Sequence, residues 1–224
     1  RNLGAHYTSE KNILKVIGPL FMDKLWAEFE RIKKQKGKLR DFQKRLGSLQ
    51  FMDPACGCGN FLVISYREIR LLELELIKEL YGRDEQQDLA LDALNHYVMV
   101  DVDQFHGIEI EEWPAQIAQV AMWLIDHQMN LLVGNTFGQT PVRIPLVKSA
   151  NIVHDNALWL DWESVVPSSK CDFVFGNPPF SGKKEQSDAQ KADLRLVSHD
   201  YKGVGSLDYV TGWYFKAVDY TEGT

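Results

Sequence analysis

Asp172-Phe173-Val174-Phe175-Gly176-Asn177-Pro178-Pro179-Phe180 is the stretch from which the fold is read. Its apolar run, Phe173 to Phe175, has the character of a buried strand. Gly176 ends the run, and two successive prolines stop either a strand or a helix from continuing. The Asn177 amide is thereby fixed at the carboxyl end of a strand, where open α/β sheets keep their ligand crevice. An amide oxygen, the carbonyl of a residue bonded to proline and a flat ring, Phe180, suit an aromatic amine that must be held, polarised and stacked. Asn and Pro also make ordinary turns, so the stretch takes its meaning from the segments around it.

The first of those is Asp53-Pro54-Ala55-Cys56-Gly57-Cys58-Gly59-Asn60-Phe61, which follows the short apolar strand Leu49 to Met52. After it, Leu62, Tyr66, Ile69, Leu72, Leu76 and Leu80 line one face of a helix over Phe61 to Leu80. Strand, Gly-rich turn and helix form a nucleotide-binding opening, because small residues let backbone N–H groups approach a ligand. The dinucleotide fingerprint would need a third glycine where Leu62 stands, which speaks against a nicotinamide dehydrogenase.

A second strand, Phe105 to Glu111, ends in acid, and the helix behind it carries Pro114 in its first turn. Ile117, Val120, Ala121, Leu124 and Leu131 are expected on that helix's buried side. Glu109 occupies the strand-tip position that hydrogen-bonds a ribose diol. It lies 50 residues beyond Gly59, so Arg83 to Tyr97 is expected as a helix or looped-out insertion. Ala150 to Leu158 repeats the shape, with the polar pair Asp155-Asn156 after a strand. Asp155 is placed to accept an adenine amine, though Asp-Asn is also a common turn. Pro141 and Pro145 put the preceding stretch in a loop, and Ser181 to Gly205 reads as a loop over the site with a short helix near Ala189 to Val197. Leu207 to Tyr220 is helical, with Tyr209, Trp213 and Ala217 at four-residue steps.

At the amino end, Gly4-Ala5-His6-Tyr7-Thr8-Ser9-Glu10 leads into a helix that Thr8 or Ser9 caps, with Ile13, Leu14 and Ile17 on one face. Gly18-Pro19 is expected to interrupt it. A second helix with Phe21, Leu25, Phe29 and Ile32 is expected to fray into a basic linker around Gly37. Lys24 to Arg45 holds nine basic residues against three acidic ones, on a chain of net charge −6. Such a stripe is compatible with nucleic acid, but a charge run of this kind reads first as a solvated helix face.

With 224 residues, no apolar run of the ~18 residues a membrane span needs and no signal peptide, the chain is expected to be a cytoplasmic globular protein. Cys56, Cys58 and Cys171 read as reduced thiols, and no spacing suggests a metal site. The start at Arg1 and the end at Thr224 suggest an excised fragment.

Taken in order, the segments at 4–8, 53–61 and 177–180 resemble the amino-methylating DNA methyltransferases of the gamma adenine class. The methyltransferase portion of type IIL restriction–modification proteins is the nearest likeness. The resemblance implies a Rossmann-like class I methyltransferase sheet with flanking helices, cut short after its fourth strand. Residues 1–48 would form a helical segment carrying the cofactor-closing motif, and 49–224 the catalytic core. It implies S-adenosylmethionine as cofactor, adenine N6 in double-stranded DNA as target, a base flipped from the helix, and no metal. Tyr7 and Thr8 would close over the methionine part; Asp53, Ala55, Cys56, Gly57 and Gly59 would wall it. Glu109 would take the ribose hydroxyls, Ile110 the adenine face, and Asp155 with Asn156 the adenine amine. Asn177, Pro178, Pro179 and Phe180 would be the catalytic tetrad. Ser9, where the family commonly has Pro, and Cys58 depart from the pattern. A target-recognition domain, and any nuclease, would lie elsewhere in the parent chain. A protein glutamine methyltransferase and a non-catalytic nucleotide-binding module are the alternative readings.

Overall fold

Three phenylalanines from distant parts of the chain stand side by side. Phe51 of strand β1 (Phe51–Asp53) is in register with Phe105 of β2 (Phe105–Glu109). Beyond β2 lies β3 (Asn151–His154), and on the other side of β1 lies β4 (Phe173–Val174), with Phe173 opposite Phe51. The Phe51 ring stacks on those of Phe105 and Phe173 at 4.7 and 5.4 Å. Full burial of Phe51 and Phe105 contributes roughly 1.5–3 kcal/mol each. The structure is a computed structural model and describes residues 8–81, 97–137, 149–199 and 201–222. Among them the four strands form one parallel sheet in the order β3-β2-β1-β4.

Successive side chains of a strand point to opposite faces, and the two faces here are both covered. Phe51, Phe105 and Phe175 join a core built with α1 (Glu10–Ile17), α2 (Asp23–Ile32), α3 (Lys36–Leu46), α4 (Asn60–Tyr81) and α5 (Glu112–Thr136). Met52 and Ile108 face the other way, into a cluster with Trp162, Val165, Val166 and Tyr220. Two further helices, α6 (Asp188–Val197) and α7 (Thr211–Thr221), complete the described chain. This is the parallel, helix-flanked α/β sheet expected from the sequence.

Several local expectations need correction. Gly18-Pro19 does not break the first helix: residues 18–22 form a π turn joining α1 to α2, and this wider turn accommodates Pro19, which has no N–H to give to a carbonyl of α1. Residues 36–46 are the helix α3 and no linker, because Leu39, Phe42 and Leu46 bury one face. The buried side of α5 is Ala115, Ala118, Met122, Ile125 and Met129, whereas Ile117, Val120, Leu124 and Leu131 are exposed. That helix carries large apolar residues on its outer face as well, and on its inner face the small Ala118 packs on Gly59 of the turn after β1. α7 begins at Thr211, later than expected, because Asp208 Oδ1 accepts from Val210 N–H and sets a turn before it. The short helix expected near 189–197 is α6. The insertion expected over 83–97 falls almost wholly outside the described residues, as does the loop at Pro141 and Pro145.

Candidate active site

All four strands are parallel, so their carboxyl ends share one edge, and the candidate residues lie along it. Gly57 and Gly59 adopt φ of +55° and +84°, a left-handed region that suits glycine. A side-chain carbon on Gly57 would meet nothing within 4 Å, so the turn presents open backbone on its outer side. One on Gly59 would press against Ala118 at 3.1 Å, which is how α5 closes on the turn. The start of α4 at Asn60 adds the orphan N–H groups of a helix N-terminus.

The turn is held from below. Asp53 is buried, and its Oδ1 accepts from Ala55 N–H at 3.0 Å. Burial pushes the Asp53 carboxyl up from 3.8 to about 7; the Ala55 N–H opposes this and the Glu109 carboxylate adds to it. Cys56 points inward, filling the space a side chain on Gly107 would need, so it lends the turn its backbone and not its thiol. Burial, with the Asp53 and Glu109 carboxylates, pushes that thiol well up, which makes it a poor nucleophile. Trp213 Nε1 donates to Pro54 O at 2.9 Å, tying α7 to the same turn.

Glu109 joins β2 to the turn: its Oε2 accepts from Gly57 N–H and its Oε1 from Glu111 N–H, both at 2.9 Å. Ile110, next in the chain, is exposed beside it. Asp155 N–H donates to Glu109 O at 2.9 Å, which brings the end of β3 to this point. Asp155 is exposed, with Oδ1 accepting from Asn156 N–H, and Asn156 Oδ1 in turn accepts from Leu158 N–H.

β4 delivers the tetrad to the same edge. Gly176 lies directly on Asp53, and a side-chain carbon there would overlap Asp53 Oδ1. Asn177 follows, exposed, with Nδ2 donating to Thr8 Oγ1 at 3.1 Å. Pro178 is half-buried, Pro179 is exposed, and the Phe180 ring is 72 % exposed. Ser181 is clamped from both sides: its N–H donates to Asp208 Oδ1 at 3.0 Å and its carbonyl accepts from Tyr209 N–H at 2.9 Å. Buried Gln186 also donates to Ser181 O and Leu207 O. Thus the structure brings Thr8, the 53–59 turn, Glu109, Ile110, Asp155, Asn156 and the 177–180 tetrad to one edge of one sheet. Tyr7 lies outside the described residues. Trp213, Asp208 and Gly176 were not singled out from sequence as site residues; only Gly176, as the glycine that ends β4, carried a local signal.

The profile of a family described as "MmeI, DNA-methyltransferase domain" matches residues 29–224. The chain belongs to this MmeI DNA-methyltransferase domain family. A solved structure of the type IIL restriction–modification enzyme MmeI in complex with DNA superimposes on 98 % of the chain, with TM-score 0.92 and 56 % identity, and the match spans 29 % of that protein. DNA methyltransferase A of Bacillus subtilis (strain 168) is 38 % identical over 226 residues, covering 99 % of this chain and 25 % of that protein. A putative type II restriction enzyme and methyltransferase of Methanocaldococcus jannaschii is 27 % identical over 104 residues, 46 % of this chain and 8 % of that one. This MmeI-family chain therefore spans between a quarter and a third of the length of the first two. Among its described residues no helix is long and apolar enough to cross a membrane.

Proposed function

We propose that this chain is the methyl-transfer part of an adenine-N6 DNA methyltransferase that uses S-adenosylmethionine and serves a restriction–modification system in the cytoplasm. The observation that carries the reading is the seating of Gly176 on Asp53, which sets the Asn-Pro-Pro-Phe tetrad beside the Gly-rich turn. Membership of the MmeI family and the likeness to an enzyme solved with DNA support it. Double-stranded DNA is the proposed partner, read by a recognition domain elsewhere in the parent chain.

The residues present fit the cofactor. The open backbone over Gly57, with Ala55, Cys56 and Gly59, would hold the methionine end, under Tyr7 and Thr8. Asp53 would hold the turn from beneath. Glu109 would take the ribose hydroxyls, Ile110 one face of the adenine, and Asp155 with Asn156 its amine. S-adenosylmethionine, when bound, supplies a methyl group already activated on a sulfonium.

The chain's own residues would do the rest by position. The target amine is a weak nucleophile because its lone pair is spread into the ring. The Asn177 side-chain oxygen and the Pro178 carbonyl would accept its two hydrogens, localising the lone pair and aiming it. The Asn177 NH2, committed to Thr8, leaves the oxygen as the accepting end. Phe180, standing largely exposed, would stack on the flipped base. Fixed dipoles and orientation then account for the acceleration.

The test is mass spectrometry of nucleosides from plasmid DNA incubated with the full-length protein and labelled S-adenosylmethionine. N6-methyladenine supports the reading. Label on a protein glutamine, or on no substrate, overturns it.

A further inference from the structure

Asp193 lies in α6, outside every proposed contact with cofactor or target, yet three groups from two other parts of the chain converge on it. It is 6 % exposed. Its Oδ1 accepts from Trp159 Nε1 at 2.8 Å, and its Oδ2 from Tyr209 Oη at 2.7 Å and Asn156 Nδ2 at 3.4 Å. Burial first, then the Asp193 carboxylate, holds the Tyr209 phenol well above its usual range, so this hydroxyl serves as a donor. The apolar groups below are shared as well: Leu158, Leu194, Val197 and Tyr209 form one cluster, and Gly212 of α7 packs on Leu158.

The three donors lead to the two halves of the proposed site. Asn156 and Trp159 belong to the loop after β3, whose Asp155 is the proposed acceptor for the cofactor's adenine amine. Tyr209 leads to the target side, because its N–H holds Ser181 O and Ser181 follows Phe180 directly. We infer that Asp193 is a positioning residue that sets the separation between the cofactor's adenine pocket and the target-base tetrad. The inference rests on the proposed methyl-transfer reading and adds a residue to it. A carboxylate is suited to the place because it accepts from several donors at once, whereas an amide has one accepting oxygen and brings donors of its own.

The experiment uses the full-length protein, S-adenosylmethionine and plasmid DNA from a methylation-deficient host. Asp193→Asn keeps the volume and should raise the KM for S-adenosylmethionine and lower kcat, each by about tenfold, the scale of one hydrogen bond to a charged group. Trp159→Phe removes the shorter of the two ties to the β3 loop, leaving that of Asn156, and should raise that KM with little change in kcat. Tyr209→Phe removes only the phenol's bond to Asp193, leaving the Tyr209 N–H on Ser181 O, and by uncoupling Asp193 from the target side should lower kcat with little change in KM. DNA affinity should stay within about twofold of wild type in all three. Wild-type KM and kcat in Asp193→Asn, or losses in all three that merely follow the folded fraction seen in thermal melts, would overturn the inference. A wild-type protein that transfers no methyl group to DNA would instead remove the underlying reading, and the inference with it.

Discussion

Gly176 rests on the Asp53 carboxylate so closely that no side-chain carbon fits between them. β1 and β4 are neighbours in the sheet, and this contact brings the ends of both to one point. The turn that opens after Asp53 and the tetrad that opens after Gly176 are therefore built on a single junction. Replacing Gly176 by Ala forces either Asp53 or the start of the tetrad to move. The expected cost is about 2–3 kcal/mol of stability, in the range of other overpacked interiors. Denaturant unfolding checks the cost, and a methylation assay should show activity lost beyond the change in folded fraction.

Thr8 orients the Asn177 amide through the 3.1 Å bond from Nδ2. Thr8→Val keeps the shape and removes the acceptor, so the amide loses the contact that fixes its orientation. The expected result is a kcat lower by about tenfold to a hundredfold, as for other small misplacements of a reacting group. The melting temperature should hardly move, because Asn177 is exposed and Thr8 only half-buried. Steady-state kinetics alongside a thermal melt reads both.

Asp53 should leave a mark on the pH dependence of stability. Its carboxyl rises from 3.8 to about 7 on folding, mainly through burial, so the folded state keeps a proton that the unfolded state gives up. The stabilisation from that proton is complete below about pH 4 and is lost as pH climbs through about 7. The full swing is on the order of 4 kcal/mol. Asp53→Asn lacks the titration, so relative to wild type it should gain stability between pH 4 and pH 8. Urea unfolding of both proteins across that range checks the sign.

Arg70 is the buried charge between α4 and α5. It has no exposed surface, lies 3.3 Å from Asp126 and 3.4 Å from Glu73, and donates to Asn130 at 2.9 Å. Glu73 in turn accepts from Met99 and Val100 N–H, just ahead of β2. Arg70→Met leaves two carboxylates buried without their cation. A loss of about 3–5 kcal/mol is expected, as for other broken buried pairs. Asp126→Asn in the same chain returns the cluster to its native net charge and should recover part of the loss in chemical denaturation.

The parts legible in the sequence are those marked by backbone punctuation. Gly57, Gly59, Gly176 and the proline pair announce where strands stop, and a stopped strand in a parallel sheet puts its next residues at the crevice. The phase of α5 was not legible, because apolar residues occupy both the face that packs and the face that does not; the deciding contact, Ala118 on Gly59, lies between segments far apart in sequence. The same holds for Trp213 on Pro54 and for Asp193, whose partners lie 16 to 37 residues away. Asp208 was hidden for another reason: within an apolar run that reads as helix, its side chain instead caps a turn.

The turn at 53–59 and the tetrad at 177–180 are proposed to enclose one cofactor-and-target crevice. A crystal structure of the protein grown with S-adenosylhomocysteine tests it most directly. The predicted electron density shows the amino-acid end over Gly57, the ribose hydroxyls on Glu109 and the sulfur facing the Asn177 amide. Density for the ligand on the opposite edge of the sheet, or with its sulfur turned away from Asn177, contradicts the account.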